Sequence, residues 1–316
     1  MKYYIKKIIS LLIPKIFFQL QLKHFLKKNN SNDIDARVNY YCKIDHKFSI
    51  TPKAKNLNQL LKNQFLKNTQ NSHFLDCYHY LKYFNSKSKI DFIYGSSKYI
   101  DSRKAKLISS TPTIVKSRNL VDDNSNSVLL KINQKKLFKF VQDNTDFENK
   151  NDLLVWRGTV TNNPTRLDLV KKFFKNKNFD IGLIDKNVSA IYKKPILSIN
   201  EQLKNKFILC LEGKCISTSI FWVMNSNSVC VMPKPTCESW FMEGQLIGGV
   251  HYIEIQSDFS DLEEKIIYYQ NKQDLCKEII INANNHVSQF KDKKKEKVIN
   301  LKVLEKYLEL SNQIIH

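Results

Sequence analysis

The sequence predicts a two-domain α/β protein whose second half is a doubly wound domain built on a parallel sheet. Three observations carry that expectation. The chain has 316 residues, 42% of them hydrophobic, enough for two buried cores. From Leu153 onward, short apolar runs alternate with helix-length segments, the pattern of parallel strands covered by helices. Between the halves, Asp143 to Asp152 is acidic and polar and reads as a linker. The expected organisation is a basic amphipathic segment at 1–28, an amino-terminal domain at 29–150, a carboxyl-terminal domain at 151–285 and a helical tail at 286–316.

Taken in order, the first 28 residues carry seven lysines, one histidine and no acid. Their longest apolar run, Ile8 to Ile13, stops at Pro14 and Lys15. That is far short of the ~20 residues needed to span a bilayer, and no small-residue cleavage site follows. The segment reads as one that lies on an anionic membrane surface or packs as a first helix; both keep the chain in the cytoplasm. Residues 29 to 58 are polar and broken up, and 59 to 85 are helical and aromatic-rich. Strands are expected at Asp91 to Tyr94, Thr113 to Lys116 and Val128 to Ile132, with a loop from Ser117 to Ser127 holding Arg118, Asp122 and Asp123.

In the second half, Leu153 to Trp156 is a buried strand and Pro164 opens a helix. Phe207 to Leu211, Val229 to Met232 and Tyr252 to Ile255 are the next strands. Helices are expected near Ser217, from Cys237 to Leu246, and after Ser260, where Glu263 three residues on completes a capping box. The last fifty residues are helical and end on the solvated charge run KDKKKEK.

Composition excludes several chemistries. With seven glycines, the chain has no Gly-rich phosphate loop and no GxSxG nucleophile turn. The formal charge is +21, yet only Arg37, Arg103, Arg118, Arg157 and Arg166 are arginines; the rest of the 51 basic residues are lysine. A nucleic-acid reader would use more guanidinium forks, so the charge reads as coding bias plus affinity for anionic surfaces, with no nucleic-acid partner. The seven cysteines form no CxxC pair and read as reduced, buried thiols.

Ligands of doubly wound sheets bind at the carboxyl ends of the strands, and three such ends are rich in polar groups. The first is Trp156-Arg157-Gly158-Thr159 through Arg166, where two arginines bracket a loop of hydroxyls and amides. Fork geometry beside a helix start suits a diphosphate, and pairing with domain carboxylates is the alternative. The second, Leu211-Glu212-Gly213-Lys214-Cys215-Ile216, leads into Ser217, Thr218 and Ser219 at a helix opening. The third is a Pro-rich turn, Met232 to Pro235, entering a segment with the carboxylates Glu238 and Glu243, placed to hold ribose hydroxyls or to face solvent.

WRGTVTNNPTR, LKNKFILCLEG and NSNSVCVMPKPTCESWFMEGQLIGGVHYIEIQSDFSDLEEKI together resemble glycosyltransferase family 90, most densely from about Leu153 to Ile267. That family holds bacterial lipopolysaccharide core glycosyltransferases and eukaryotic protein O-glucosyltransferases. Pro112 to Arg118 and Asn126 to Lys131 are similar to its bacterial branch. The resemblance implies a two-domain GT-B-type fold, with an amino-terminal acceptor-binding domain and a carboxyl-terminal nucleotide-sugar-binding domain. It implies an inverting single displacement from UDP-glucose or UDP-galactose, and the basic, apolar amino terminus fits a lipid-linked, phosphate-bearing acceptor such as the lipopolysaccharide inner core on the inner leaflet. Arg157, Gly158, Thr159 and Arg166 would contact the diphosphate, Ser217 to Ser219 would lie beside the nucleotide, and Glu238 and Glu243 near the ribose or sugar. Two departures mark this chain. Ser219, Ile220 and Phe221 stand where relatives often carry a basic residue. Asn119 stands where eukaryotic members carry the basic Asp, which leaves Asp122 and Asp123 as the nearest candidates for the base.

No metal or other cofactor is expected, since the one Asp-x-Asp, Asp33-Ile34-Asp35, lies in the polar amino-terminal stretch. The rival expectations are a catalytically weak family member that only binds sugar nucleotides, and a basic nucleic-acid-binding protein.

Overall fold

The computed structural model describes residues 13–28, 31–64, 71–93, 108, 110–121, 123–160, 163–185 and 190–314. Its strands, in chain order, are β1 Lys55–Asn56, β2 Lys89–Ile90, β3 Phe92–Ile93, β4 Thr113–Val115, β5 Ser117–Asn119 and β6 Ser127–Leu129. They continue with β7 Asn151–Gly158, β8 Phe179–Leu183, β9 Asn205–Leu209, β10 Val229–Pro233, β11 Cys237–Ser239 and β12 Ile253–Ile255. Two units form: one gathers the residues up to Leu137, Cys237–Trp240 and those from Phe290 on, and the other holds Phe138–Thr236 and Phe241–Gln289.

The second unit is built on a parallel five-stranded sheet of order β12-β10-β9-β7-β8. Strands buried on both faces read as continuous apolar runs, and every residue of β9 is buried accordingly. The helix Thr165–Phe173 follows β7 and buries Leu169, Val170 and Phe173. Helix Gln273–Ser288 lays Cys276, Ile279, Ile280, Ala283 and Val287 inward at helical spacing. Trp156, Phe207, Val231, Ile253 and Ile266 join Leu169, Val170, Phe173, Cys276, Ile279 and Ile280 in one core. The chain runs outward from β7 to β8, then crosses back to β9 on the other side of β7 and continues to β10 and β12. The winding therefore reverses between β7 and β9, the topological switch point of this strand order.

Among the described residues, the strands of the first unit are short. β3, β4 and β6 form a parallel three-stranded sheet, while β1 pairs with β2 and β5 with β11, both antiparallel. Its centre is the helix Lys293–Leu310, which buries Val298, Ile299, Leu301, Leu304 and Tyr307. The helices Lys15–Lys28, Asn32–Tyr41 and Asn71–Leu81 pack against it.

Several expectations change. Asn32–Tyr41 is a helix within the stretch read as broken; Ile34, Val38 and Tyr41 give it a thin but regular buried stripe. Ser117–Asn119 is a strand rather than loop because Cys237–Ser239 pairs with it, and that pairing also replaces the helix expected from Cys237 to Leu246. Further on, Met242 takes a left-handed conformation (φ 55°) and only a 3-10 turn, Glu243–Gln245, follows. β8 is a strand that the alternation did not reveal. The capping box at Ser260 does not form: Asp261 is the N-cap, and Glu263 accepts a hydrogen bond from Asn176 instead. Asp143–Asp152 is no free linker, since Phe147 is buried and Asp143 pairs with the buried Lys150 at 2.8 Å. The KDKKKEK run opens the last helix, with Asp292 as its N-cap and Glu296 buried. All seven cysteines are buried free thiols.

Candidate active site

Where β7, β9 and β10 end, polar side chains tie the loops to one another. Arg166, in the first turn of the helix after β7, donates Nη1 to the Thr159 carbonyl at 3.0 Å and Nη2 to the Leu211 carbonyl at 2.8 Å. Those carbonyls belong to the loops leaving β7 and β9, so the guanidinium spans the switch point. Asn163 acts beside it: its Oδ1 accepts from the Thr165 backbone N–H (3.1 Å) and hydroxyl (2.6 Å), and its Nδ2 donates to the Glu212 carbonyl at 3.0 Å. The Glu212 carboxylate in turn accepts from the Thr236 N–H (2.9 Å) and hydroxyl (2.6 Å), reaching the loop after β10. Three strand ends are thus cross-braced by Arg166, Asn163 and Glu212. Asn163 and Glu212 stood in the quoted clusters without a role, because nothing in their spacing shows which loop each one ties.

Arg157 has different partners. Its Nη2 forks onto both Asp180 oxygens (2.8 and 3.0 Å), Nη1 donates to the Asp180 carbonyl at 2.6 Å and Nε to the Pro195 carbonyl at 2.9 Å. Burial would raise the Asp180 carboxyl, but hydrogen bonds from Lys194 and Arg157 outweigh it and hold it below its usual value. Gly158 ends β7 because a Cβ there would meet the Trp156 ring at 2.3 Å. Ser217 is buried and shares a hydrogen bond with Ser219 (2.9 Å), whose hydroxyl donates to the Cys210 sulfur at 3.3 Å; Thr218 is exposed. Phe221 is fully buried between the Phe138 and Phe241 rings. Glu243 is buried in this unit.

In the first unit, Arg118 and Glu238 form a buried ion pair across β5 and β11, Nε to Oε1 at 2.7 Å. The Tyr40 hydroxyl donates to the other oxygen of Glu238. Arg118 also donates to the carbonyls of Tyr40 (2.7 Å) and Ser127 (3.0 Å). The turn beyond β5 is organised by Asn119, whose Oδ1 accepts from the Val121 N–H at 3.0 Å and whose carbonyl accepts from Asn124. Asp123 is fully exposed, and the Ser125 backbone N–H holds its carboxyl below the usual value, so it is ionised at neutral pH. Asp122 lies outside the described residues. Asp91 is buried and accepts from the Thr51 backbone N–H and hydroxyl.

A second buried web surrounds Glu296. Arg37 Nη1 lies 2.7 Å from Oε1, while Lys131 and Trp240 Nε1 (2.7 Å) meet Oε2. Arg37 also donates to the Tyr41 hydroxyl at 2.6 Å, and Tyr41 stacks on Trp240 with centroids 3.8 Å apart. The Asp-x-Asp carboxylates lie on a helix, Asp33 paired with Lys295 and Asp35 with Lys302. Among the described residues no group of three or more His, Cys, Asp or Glu is arranged to hold a metal ion.

A parallel sheet whose braced polar loops sit at its switch point defines an α/β protein with the usual ligand position of that class. The comparisons give the family. The profile of glycosyl transferase family 90 matches residues 128–313. The O-glucosyltransferase LpsA of Dichelobacter nodosus is 32% identical over 278 residues, which span 88% of this chain and 83% of the relative. The chain belongs to glycosyl transferase family 90 and is a glycosyltransferase, acting between a sugar donor and an acceptor.

Proposed function

We propose that the protein moves a hexose, glucose or galactose, from a UDP-sugar to the inner core of a lipopolysaccharide or lipooligosaccharide. The reading makes it a GT-B-type enzyme, with the second unit binding the donor and the first the acceptor. The observation that carries it is Arg166 at the switch point, fixed by the carbonyls of two strand-end loops. The name of the relative, an O-glucosyltransferase, favours glucose.

In this reading the Gly158-Thr159 turn, Arg166 and Ser217 to Ser219 surround the diphosphate, with Glu243 on the donor side. Arg157 and Glu238 act as braces, because each is neutralised by an ion pair, with Asp180 and Arg118 respectively. The acceptor oxygen attacks the anomeric carbon as the bond to UDP breaks, the electron pair leaves with UDP, and the configuration inverts. Asp122 or Asp123 takes the acceptor proton. Fixed donors that meet the charge developing on UDP are worth about a hundredfold or more in rate. The enzyme works from the cytoplasm, peripheral to the inner membrane, where a lipid-linked acceptor lies.

The test is transfer of labelled hexose from UDP-glucose and UDP-galactose, assayed separately, to truncated core oligosaccharides, with the product anomer read by NMR. Asp122→Asn and Asp123→Asn are assayed alongside. One of them lowers the rate about a hundredfold; less than about tenfold in both moves the base elsewhere. Asn119, at the position of the eukaryotic base, favours a second reading in which the chain binds UDP-sugars without turnover. UDP binding with no transfer to any core acceptor would select it.

A further inference from the structure

The helix Lys15–Lys28 is apolar on two faces, and the fold uses one. Inward, Phe18 is buried and meets the Tyr83 ring edge-on at 5.1 Å, and Phe25 meets the same ring at 6.3 Å. Lys82 lies over Phe18 at 3.7 Å and Lys297 over Phe25 at 4.1 Å, while Gln19 donates to the Phe84 carbonyl. Outward, Ile16, Phe17 and Leu20 are 55%, 54% and 66% exposed, and Ile13, just before the helix, is 43% exposed. Positions 16, 17 and 20 follow helical spacing and form one stripe, and Ile13 precedes it in the chain. Lys23 and His24, both exposed, follow it in the next turn, and the sequence closes the helix on Lys27 and Lys28.

An apolar stripe ending in cations, on a segment with seven lysines and no acid in 28 residues, limits what covers it. A second copy of the chain would bring like charge against like charge, and four side chains fall well short of the ~800 Å² per partner that stable protein interfaces bury. An anionic lipid surface satisfies both features at once: apolar side chains enter the acyl boundary and lysines meet headgroup phosphates. Among the described residues no helix is long and apolar enough to cross a membrane, so this is contact with a surface. We propose that the Ile13, Ile16, Phe17 and Leu20 face docks the protein on an anionic phospholipid bilayer, with the helix lying in the interface plane. Its purpose rests on the lipid-linked acceptor proposed above; the docking itself does not.

The test is co-sedimentation of the full chain with vesicles of equal parts phosphatidylglycerol and phosphatidylcholine, against phosphatidylcholine alone, without donor or acceptor. The wild type is expected to sediment with the anionic vesicles and to be released by salt. The triple substitution Ile16→Ser, Phe17→Ser, Leu20→Ser lowers partitioning at least about tenfold. Should circular dichroism show that variant misfolded, Phe17→Trp decides: its emission shifts to the blue on adding anionic vesicles, since Trp156, Trp222 and Trp240 are buried. Binding unchanged by the triple substitution, an unshifted Phe17→Trp emission, or equal binding to neutral vesicles would overturn the proposal. So would lipid-free self-association that the substitution abolishes, since a second copy would then cover the face. Transfer to a lipid-free core oligosaccharide stays at wild-type rate in the triple variant. Lost docking with intact transfer therefore sinks only this inference, and intact docking without transfer sinks only the transferase reading.

Discussion

The two units place their polar groups in opposite ways. In the second, side chains between the strands are apolar, and arginine, asparagine and glutamate gather at the strand ends. In the first, strands are two or three residues long and charged groups lie inside: Arg118 with Glu238, and Arg37 and Lys131 with Glu296. A long parallel sheet holds itself together by burial and ladder hydrogen bonds, which frees its loops for ligands. Short strands supply few ladder hydrogen bonds, and the first unit is held by its buried helices, with ion pairs tying distant segments. Such pairs specify one arrangement more than they add net stability, and they are costly to half-remove.

That contrast predicts its own largest failure. Glu296→Ala leaves Arg37 and Lys131 buried without their carboxylate and should destabilise the first unit by about 3–5 kcal/mol. Hydrogen exchange resolved by peptide would show protection lost in Lys293–Leu310 and Asn32–Tyr41 while β7, β9 and β10 keep theirs. Uniform loss across both units would mean they do not differ as described. At the strand ends, Glu212→Ala releases the loop after β10 and should raise the donor KM about tenfold, the size of one lost charged hydrogen bond. Glu212→Gln, which retains an acceptor for the Thr236 N–H, should restore most of it; equal damage from both would make the role one of charge and not of bracing. The smallest effect concerns Asp33, whose carboxyl the Lys295 ammonium and Ser31 hydroxyl hold down to about 2 from an ordinary 3.8. A depressed carboxyl contributes stability above the unfolded value and loses it as pH falls through the folded one. Denaturant midpoints of Asp33→Asn should therefore fall less steeply than wild type on acidification through this range, and identical slopes would remove the pair from the account of the first unit.

Legibility in the sequence follows the same division. β7, β9, β10 and β12 were readable because a strand covered on both faces must be an apolar run, and Pro164 marked the helix that carries Arg166. β8 was not: in Phe179–Leu183 the apolar run is interrupted by Asp180, whose carboxylate serves Arg157. The first unit was nearly opaque. Ser-Arg-Asn and Cys-Glu-Ser look like loop and helix until they are paired across 120 residues by Arg118 and Glu238. The segment from Cys237, aromatic and carrying two carboxylates after a Pro-rich turn, reads as a helix, and only its pairing with β5 makes it a strand. At the candidate site, the sequence singled out the loops and Arg166 as candidates, but which carbonyls Arg166 grips, and that Arg157 turns to Asp180, are facts of tertiary structure.

The most direct measurement is calorimetric titration of UDP into the protein in EDTA, beside Arg166→Ala. Binding by the wild type that the substitution abolishes, with thermal unfolding of the variant near wild type, is the predicted result. It would fix the donor at the β7–β9 switch point. UDP binding unchanged in Arg166→Ala, or no binding with or without manganese, would contradict a donor site there.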